Sequence, residues 1–585
     1  MRHFLLIILF IAACHAADFG DVSIERLPML VDDNIGNGQY DTHTYRLKNN
    51  GAKPVAITIR EISQFRGNSY YRMRSIELAP MTTAHLTLYS PTMMTDGRYG
   101  SNSGVCQIAI NGKNMKLPPE LEDLTIHIGY SHNFFSILSS SAVSSNLENM
   151  LRNSETIYFG HAGKSINVLP TTFSCEQWPT HVREYACFPM ILLSSTDKIK
   201  PELRHALDDY VRLGGILAVI VPETAPWPMD DIPETPKCHL RRLGLGKIIT
   251  CRPWKQENKA FVENITQKIE ETNFNDKQSI IKEKEDVSHK LPALMGLMKE
   301  MSESLSIRNN QPVIPDTLLH LKVTELPMFL LLCVMIIFAV IIGPLNYWYL
   351  QKKGKQLLLI LTTPAISILF CLIVFLFITF REGWQSHGSV YGFTLLDQTE
   401  HQATTFARVV MNAALRPSGG FRFSADELIS FNQEEGSIDV LDEPGQIIAP
   451  SIMKTRVPLD YNIKITEPRR EQLEITFHEG KATVVNGLGA EILSLTVHAP
   501  DGNIYILNSN LPPGGSATLS QKDFVPIEKR PASFTFEQMT EFLNKQKNLL
   551  PPAGYYWATL KEPLFYSKGM EPDTLDATHY VIGRF

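Results

Sequence analysis

The chain has 585 residues, a mass of 66.0 kDa and a net charge of −6, with 44% hydrophobic and 20% charged residues. This length exceeds one compact domain, and the composition excludes a collagen-like, wholly disordered or small disulfide-rich protein. A mean hydropathy of −0.07 argues against a polytopic transporter, and the weak net charge argues against general nucleic-acid binding through a basic surface.

The N-terminal segment is typical of an export signal. The basic residues Arg2 and His3 precede an apolar run at 4–13 that is too short to span a bilayer. This pattern predicts a signal peptide over residues 1–16. The run that ends at Cys14 also resembles the lipobox of bacterial lipoproteins, which would place a lipid on Cys14. Both alternatives predict export.

Residues 17–118 show short alternating strands without a long helical period. The segment Val55–Arg60 is one example, and turn residues separate it from its neighbours. This rhythm predicts an immunoglobulin-like (Ig-like) β-sandwich that serves for interaction or spacing.

In residues 119–255 the hydrophobic pattern changes to strands that alternate with helices, which predicts parallel βαβ units. Strands are expected at 124–130, 190–195 and 216–221, with a helix over 132–152. A second helix begins at Pro201 and ends at a Gly-Gly pair. Strand, helix, glycine pair and strand at this spacing indicate a doubly wound α/β fold.

The run MILLSSTDKIKPELRHALDDYVRLGGILAVIVPE, at 190–223, resembles the core of the class I glutamine amidotransferase-like domains in exported bacterial membrane proteins. The runs VIIGPLNYWYL and LTTPAISILF resemble the terminal hairpin of the same proteins. The resemblance covers about half the chain and implies architecture. Catalytic relatives use a cysteine on a Gly-x-Cys-x-Gly turn with a histidine and an acidic partner. This chain has no such turn, so no catalytic residue and no enzymatic activity are predicted.

Polar side chains follow the apolar strand at 190–195. Open α/β sheets bind ligands just beyond the carboxyl ends of their strands. We therefore predict a site for a small ligand or a partner at Ser194, Ser195 and Asp197. The alternative is a simple strand-to-helix cap.

Other motifs in this region predict no cofactor. The run Gly160–Ser165 ends like a phosphate loop but lacks the required first glycine and a following helix, which excludes a nucleotide site. The histidines of the region show no HxxH or HxxxH spacing, so no metal site is predicted. They are His127, His132, His161 and His181.

The exported cysteines allow local disulfides. Cys175 with Cys187 and Cys238 with Cys251 each enclose a short segment, and an oxidising compartment would favour both bridges. The alternative is separate buried thiols.

The remaining chain predicts a connector, a membrane hairpin and a final domain. Residues 256–325 form a charged helical connector, with a partner-binding coiled coil as the alternative. Residues 326–350 and 357–380 are apolar and long enough to cross about 30 Å of hydrocarbon. The lysine-rich loop at 351–356 is expected in the cytoplasm. Residues 381–585 predict a β-rich exported domain, with a hairpin turn at Asp501-Gly502.

These features predict a membrane-anchored protein of the bacterial inner (cytoplasmic) membrane, with its large domains on the periplasmic side. Its expected role is binding or scaffolding, and its expected partners are the membrane and other envelope proteins, without nucleotide or nucleic acid. One alternative is a hydrolase or transferase that uses an unrecognised site at the strand ends of the α/β domain. Another is an accessory subunit of a membrane transport complex.

Overall fold

The structure is a computed structural model in which β-sheet predominates. It describes residues 15–27, 40–65, 68–91, 100–128, 134–143, 167–221, 239–251, 328–382, 385–413, 418–522 and 553–585, with short breaks at 187, 189, 355, 433–436, 443–444, 479–480, 508 and 568. Residues 1–14 of the predicted signal, Gly160–Ser165 and the connector at 256–325 lie outside the described residues, whereas His15 and Ala16, the last two residues of the predicted signal, begin a strand.

The N-terminal region consists of antiparallel strands. They are β1 (His15–Phe19), β2 (Val22–Arg26), β3 (Tyr40–Asn49), β4 (Val55–Phe65), β5 (Asn68–Leu78), β6 (Thr83–Pro91), β7 (Gly100–Ile110), β8 (Lys113–Asn114) and β9 (Asp123–Ile128), with the short helix α1 (Pro119–Glu122) between the last two. One sheet has the order β1-β2-β3-β6, and β5, β4, β7 and β8 follow one another in a second. Alternate residues such as Tyr45 and Leu47 point into the core shared by the two sheets.

Strand β9 corrects one sequence assignment. Residues 124–130 were expected to begin the α/β domain, but β9 pairs antiparallel with β7 in the N-terminal sheet. Its apolar residues are consistent with either sheet, so only the long-range pairing decides where it belongs.

The α/β region holds a six-stranded sheet. Its elements are β10 (Phe134–Ser140), β11 (Asn167–Phe173), β12 (Met190–Ser194), α2 (Pro201–Arg212), β13 (Ile216–Ile220), β14 (His239–Leu243) and β15 (Gly246–Cys251). The order is β11-β10-β12-β13-β15-β14, with every pair parallel except β14 with β15. Strand β10 lies inside the predicted helix at 132–152, which is therefore wrong over those residues.

Helix α2 begins where the sequence predicts, because Pro201 suits the first turn of a helix. Leu203, Leu207 and Tyr210 lie on its buried face against the sheet. The helix ends at the Gly-Gly pair, where Gly214 has a φ of +109° and a Cβ on Gly215 would overlap the ring of Tyr210.

The C-terminal region is almost wholly β. Its strands are β16 (Ser386–Asp397), β17 (Gln402–Ala413), β18 (Phe421–Phe423), β19 (Leu428–Phe431), β20 (Ser437–Asp442), β21 (Gln446–Ile448), β22 (Leu459–Pro468), β23 (Gln472–His478), β24 (Lys481–Gly487), β25 (Ile492–His498), β26 (Ile504–Ile506), β27 (Ser516–Lys522), β28 (Tyr555–Leu560) and β29 (Thr574–Arg584). Eleven of them form one sheet, of order β19-β22-β17-β16-β29-β28-β25-β26-β27-β24-β23. The predicted turn at Asp501-Gly502 joins β25 to β26, and Gly502 takes a φ of +89° there.

One sheet joins the two ends of the chain. Strand β20 pairs in parallel with β5, so that the sheet runs β18-β21-β20-β5-β4-β7-β8. The N-terminal and C-terminal β regions therefore share a continuous hydrogen-bonded sheet, although the sequence pattern suggested two separate units.

A buried ionic network lies within the N-terminal sandwich. Glu61 contacts the Arg72 guanidinium at 3.0 Å, His43 Nδ1 at 2.8 Å and the Tyr45 hydroxyl at 2.6 Å. Burial opposes the charged carboxylate, but Arg72 and His43 hold the pKa of Glu61 down at about 2. The carboxylate thus remains ionised at neutral pH and fixes the strands that carry its partners.

The apolar segments form a helical hairpin. It consists of α3 (Met328–Val340), a π-helical turn (Ile341–Leu345), α4 (Asn346–Lys352), a short 3₁₀ turn (Gln356–Leu358) and α5 (Leu359–Glu382). Among the described residues, two stretches are long and apolar enough to cross a membrane, Leu332–Lys352 and Leu359–Leu376. The Asn346 amide donates a hydrogen bond to the Thr362 hydroxyl at 3.0 Å, which joins the two arms near the loop.

Candidate functional site

The candidate site lies at the carboxyl edge of the parallel sheet. The chain passes from β10 to its neighbour β11 on one side and from β12 to its neighbour β13 on the other, so the connections that follow β10 and β12 leave this edge in opposite directions. Such a switch point is where open α/β sheets form a crevice. The strands end there at Ser140 and Ser194, and the turn after β12 supplies Asp197.

Asp197 is the centre of the polar cluster at this edge. Its Oδ2 accepts a hydrogen bond from Ser140 Oγ at 2.5 Å and another from the Ser194 backbone N–H at 2.8 Å. The Asp197 N–H donates to the Ser194 carbonyl at 3.0 Å. Of the three residues predicted for this site, Ser194 and Asp197 are therefore in direct contact, and Ser140 is a partner that sequence reasoning missed.

Ser195, the third predicted residue, is held differently. Its backbone N–H donates to the Ile220 carbonyl at 2.8 Å, which extends the pairing of β12 with β13. Its Oγ is buried and has no hydrogen-bond partner among the described residues. This hydroxyl is the unsatisfied polar group of the predicted site.

Cys175 completes the cluster. It begins the 3₁₀ turn Cys175–Gln177 after β11, and its thiol lies beside the side chains of Asp197 and Ser140. Burial raises the pKa of Cys175 to about 12, and the negative charge of Asp197 acts in the same direction. The group is a neutral thiol at physiological pH.

The free thiol of Cys175 contradicts the predicted Cys175–Cys187 disulfide. The physical reason is its position at the strand ends, where it contacts Asp197 and Ser140. Cys251 does form a disulfide, and its predicted partner Cys238 lies outside the described residues.

A short 3₁₀ turn, Val182–Tyr185, joins this region to both β regions. The guanidinium of Arg183 lies 3.8 Å above the ring of Tyr89 and 5.9 Å from that of Tyr40. The Tyr40 hydroxyl in turn donates to Gln446 Oε1 at 2.7 Å in the C-terminal region. We call Arg183, Tyr89 and Tyr40 the aromatic latch.

Glu184 adds a titratable group to this junction. Its Oε1 accepts a hydrogen bond from the Tyr89 hydroxyl at 2.9 Å. Burial raises the pKa of Glu184 to about 7, although Tyr89 and the nearby arginines oppose the shift. Burial also lowers the pKa of His181 to about 4, so that His181 is neutral where it faces Asp426 at 3.5 Å.

Within the described part of the chain, no group of three or more histidine, cysteine or acidic side chains could hold a metal ion. His181 belongs to the junction just described. The side chains of His127, His132 and His161 lie outside the described residues, so their predicted lack of a metal role stays a prediction.

No known protein family matches the chain, and no curated protein matches it. Among solved structures, the alkylpurine DNA glycosylase AlkC of Pseudomonas fluorescens is 13% identical over 19% of this chain, with a TM-score of 0.15. A CARDB domain from Pyrococcus furiosus is 18% identical over 19% of this chain and 89% of its own, with a TM-score of 0.14. The yeast delta-COP-I μ-homology domain is 6% identical over 34% of this chain and 96% of its own, with a TM-score of 0.18.

The chain spans about a third of the length of AlkC, with 31% of that protein covered. All three TM-scores are too low to carry an argument about fold or function.

Proposed function

We propose that this protein is a membrane-anchored envelope protein whose folded body binds or scaffolds other envelope proteins. The hairpin carries the proposal. Its apolar side chains face outward, as in Leu357 (87% exposed) and Ile368 (71% exposed), whereas the helices of a soluble core would bury them. Water is a poor solvent for such a surface and lipid is a good one.

The charges at the loop support an orientation. Lys352 lies 5.4 Å from the ring of Trp348, and Lys353 lies 4.7 Å from that of Tyr349. Lysines beside aromatic rings suit the cytoplasmic interface of a bilayer. In this proposal the folded body lies on the periplasmic side of a bacterial inner membrane.

The contacts between regions support a rigid binding platform. The sheet through β20 and β5 joins the two β regions, and the aromatic latch connects both to the α/β region. Arg212 also donates to Glu400 at 2.7 Å between α2 and the C-terminal sheet. A non-catalytic, amidotransferase-like role for the α/β region belongs to this proposal and is supported by its parallel strand order.

The polar cluster favours binding over nucleophilic catalysis. Asp197 Oδ2 is already engaged by Ser140 and the Ser194 backbone, and Cys175 is a thiol rather than a thiolate. The second candidate, a hydrolase or transferase, is favoured by the unpartnered Ser195 hydroxyl. Ser195→Ala separates the two candidates, because it should spare a scaffold and abolish an enzyme that uses this hydroxyl.

The membrane proposal is tested by Leu372→Arg in α5 (51% exposed) against Leu493→Arg in β25 (42% exposed). An arginine at the centre of a membrane helix costs about 2.5–3.5 kcal/mol or more. Leu372→Arg should therefore increase the fraction of protein in the alkaline carbonate extract, whereas Leu493→Arg should stay in the membrane pellet. Equal extraction of both variants would contradict membrane anchoring.

Orientation and partners need separate measurements. Alkaline phosphatase fused after Phe585 should be active if the body is periplasmic, and an inactive fusion with a stable product would reverse the orientation. Cross-linking in native membranes, followed by mass spectrometry of the co-purified proteins, should recover envelope proteins. Recovery of the protein alone would contradict the scaffold role.

A further inference from the structure

A cleft of about 1330 Å³ separates the N-terminal sandwich from the α/β region. Its floor is the outer face of the β3–β6 pair, where Thr44 lies opposite Thr87 and Arg46 opposite His85. Its opposite wall consists of the two 3₁₀ turns and the start of α2, which contributes Lys200. This space exceeds the roughly 300–1,000 Å³ that is typical of small-molecule sites.

The charges that line the cleft favour an acidic ligand. Four basic side chains, Arg46, Arg74, Arg183 and Lys200, face three acidic ones. One acidic residue, Glu25, pairs with Arg46 at 2.8 Å, so these two charges cancel and three basic side chains remain against two acidic ones. A second, Glu184, is engaged by the Tyr89 hydroxyl and is half protonated near pH 7. Glu176 is the third.

Two of the basic groups are placed to meet a ligand. Lys200 is exposed at the start of α2, and the Arg46 side chain is 47% exposed even though it contacts Glu25. Arg74 is held in the floor, where its guanidinium donates to the Thr87 carbonyl at 2.8 Å. The cleft thus offers two exposed cations, Lys200 on its wall and Arg46 on its floor, of which Arg46 is paired with Glu25.

The aromatic residues argue against a carbohydrate. Sugars bind on exposed ring faces, but Tyr89 and Trp178 are each only 4% exposed. The guanidinium of Arg183 covers the ring of Tyr89. Carboxylates need cations and hydroxyl donors instead, and the cleft supplies both.

We propose that this cleft binds an acidic peptide segment of a partner protein, held between Arg46 on the sandwich and Lys200 on the α/β region. The inference rests on the proposed binding function and names the chemistry of its partner. A segment bound there would touch both regions at once.

The test uses the full chain in lipid nanodiscs and three fluorescein-labelled ten-residue peptides, alternating serine with glutamate, glutamine or lysine. Fluorescence anisotropy should detect binding of the glutamate peptide only, and the affinity should fall as the salt concentration rises. The double substitution Arg46→Gln with Lys200→Gln should weaken binding by about fivefold, the sum of two exposed charge contacts. The matched control is Lys454→Gln with Lys481→Gln, two exposed lysines outside the cleft.

Three outcomes would overturn the inference: no binding of the glutamate peptide, equal weakening by the control pair, or binding of a labelled hyaluronan oligosaccharide in its place. Thermal unfolding of each variant verifies that the fold is retained. The membrane cross-linking experiment is independent of these peptides. If partner proteins still cross-link although the glutamate peptide does not bind, the scaffold proposal stands and only the proposed peptide binding in the cleft is refuted.

Discussion

Glu184 makes the junction between the sandwich and the α/β region sensitive to pH. Its pKa is about 7 in the folded protein and about 4.5 in an unfolded chain, because burial disfavours the carboxylate. The folded state therefore binds the proton more tightly. Its contribution to stability is fully present below about pH 4.5 and is lost as the pH rises through 7.

The magnitude follows from the two pKa values. A difference between about 4.5 and about 7 corresponds to about 3 kcal/mol of unfolding free energy once Glu184 is ionised. Glu184→Gln keeps an oxygen that can accept the Tyr89 hydroxyl and removes the charge. We expect this variant to match the wild type at pH 4 and to exceed its stability by up to about 3 kcal/mol at pH 8.

Urea-dependent hydrogen exchange of peptides from α2 and β12 measures the free energy of the α/β region in the full chain. Glu176→Gln is the matched control, because Glu176 is an exposed glutamate in the neighbouring 3₁₀ turn. A difference between wild type and Glu184→Gln that stays constant from pH 4 to pH 8 would refute the reasoning. A wild type that becomes more stable than the variant at high pH would also refute it, because the effect of the nearby arginines on the pKa of Glu184 would then exceed that of burial.

Three further predictions concern packing, the buried ion pair and the thiol. Gly246→Ala places a Cβ against two backbone carbonyl oxygens at the end of α2 and should lower the unfolding free energy by at least about 3 kcal/mol. The control Gly419→Ala places its Cβ in open space and should be tolerated; thermal unfolding measures both variants. Arg72→Met leaves a buried carboxylate without its cation and should cost about 3–5 kcal/mol by urea denaturation. Asp197→Asn removes the negative charge beside Cys175, lowers its pKa and should speed iodoacetamide labelling at pH 8, followed by peptide mass spectrometry.

For each of these three predictions, one result would contradict the reasoning. A Gly246→Ala variant as stable as Gly419→Ala would mean that the backbone at β15 can move aside. Lys113→Met, at an exposed strand, is the control for Arg72→Met, and equal losses would deny the network any special role. Labelling of Cys175 that does not change in Asp197→Asn would show that burial alone protects the thiol.

Local pattern was sufficient where an element's own residues decide its structure. Pro201 and the spacing of Leu203, Leu207 and Tyr210 predicted α2, which the structure confirms. The apolar strands β12 and β13 were predicted for the same reason, as were the two long apolar helices. Each of these segments has either a clear hydrophobic period or an uninterrupted apolar run.

The local sequence pattern gave the wrong assignment where pairing with a distant strand determines the structure of a segment. The segment that became β10 was expected to be helical, yet it lies between β11 and β12 in the parallel sheet. The same holds for β9, which its pairing with β7 assigns to the sandwich. Short apolar runs suit either structure, and the free energy of long-range strand pairing exceeds their weak preference.

The sequence by itself determined that this protein has an apolar hairpin, a parallel α/β core and β-rich flanks, since composition and period encode these features locally. It also located Ser194 and Asp197 at a strand end. Tertiary structure alone decided that Ser140 and Cys175 converge on Asp197, and that β20 joins β5 in one sheet. Those contacts join residues far apart in the chain, and they form because buried polar groups and strand edges must find partners once the core excludes water.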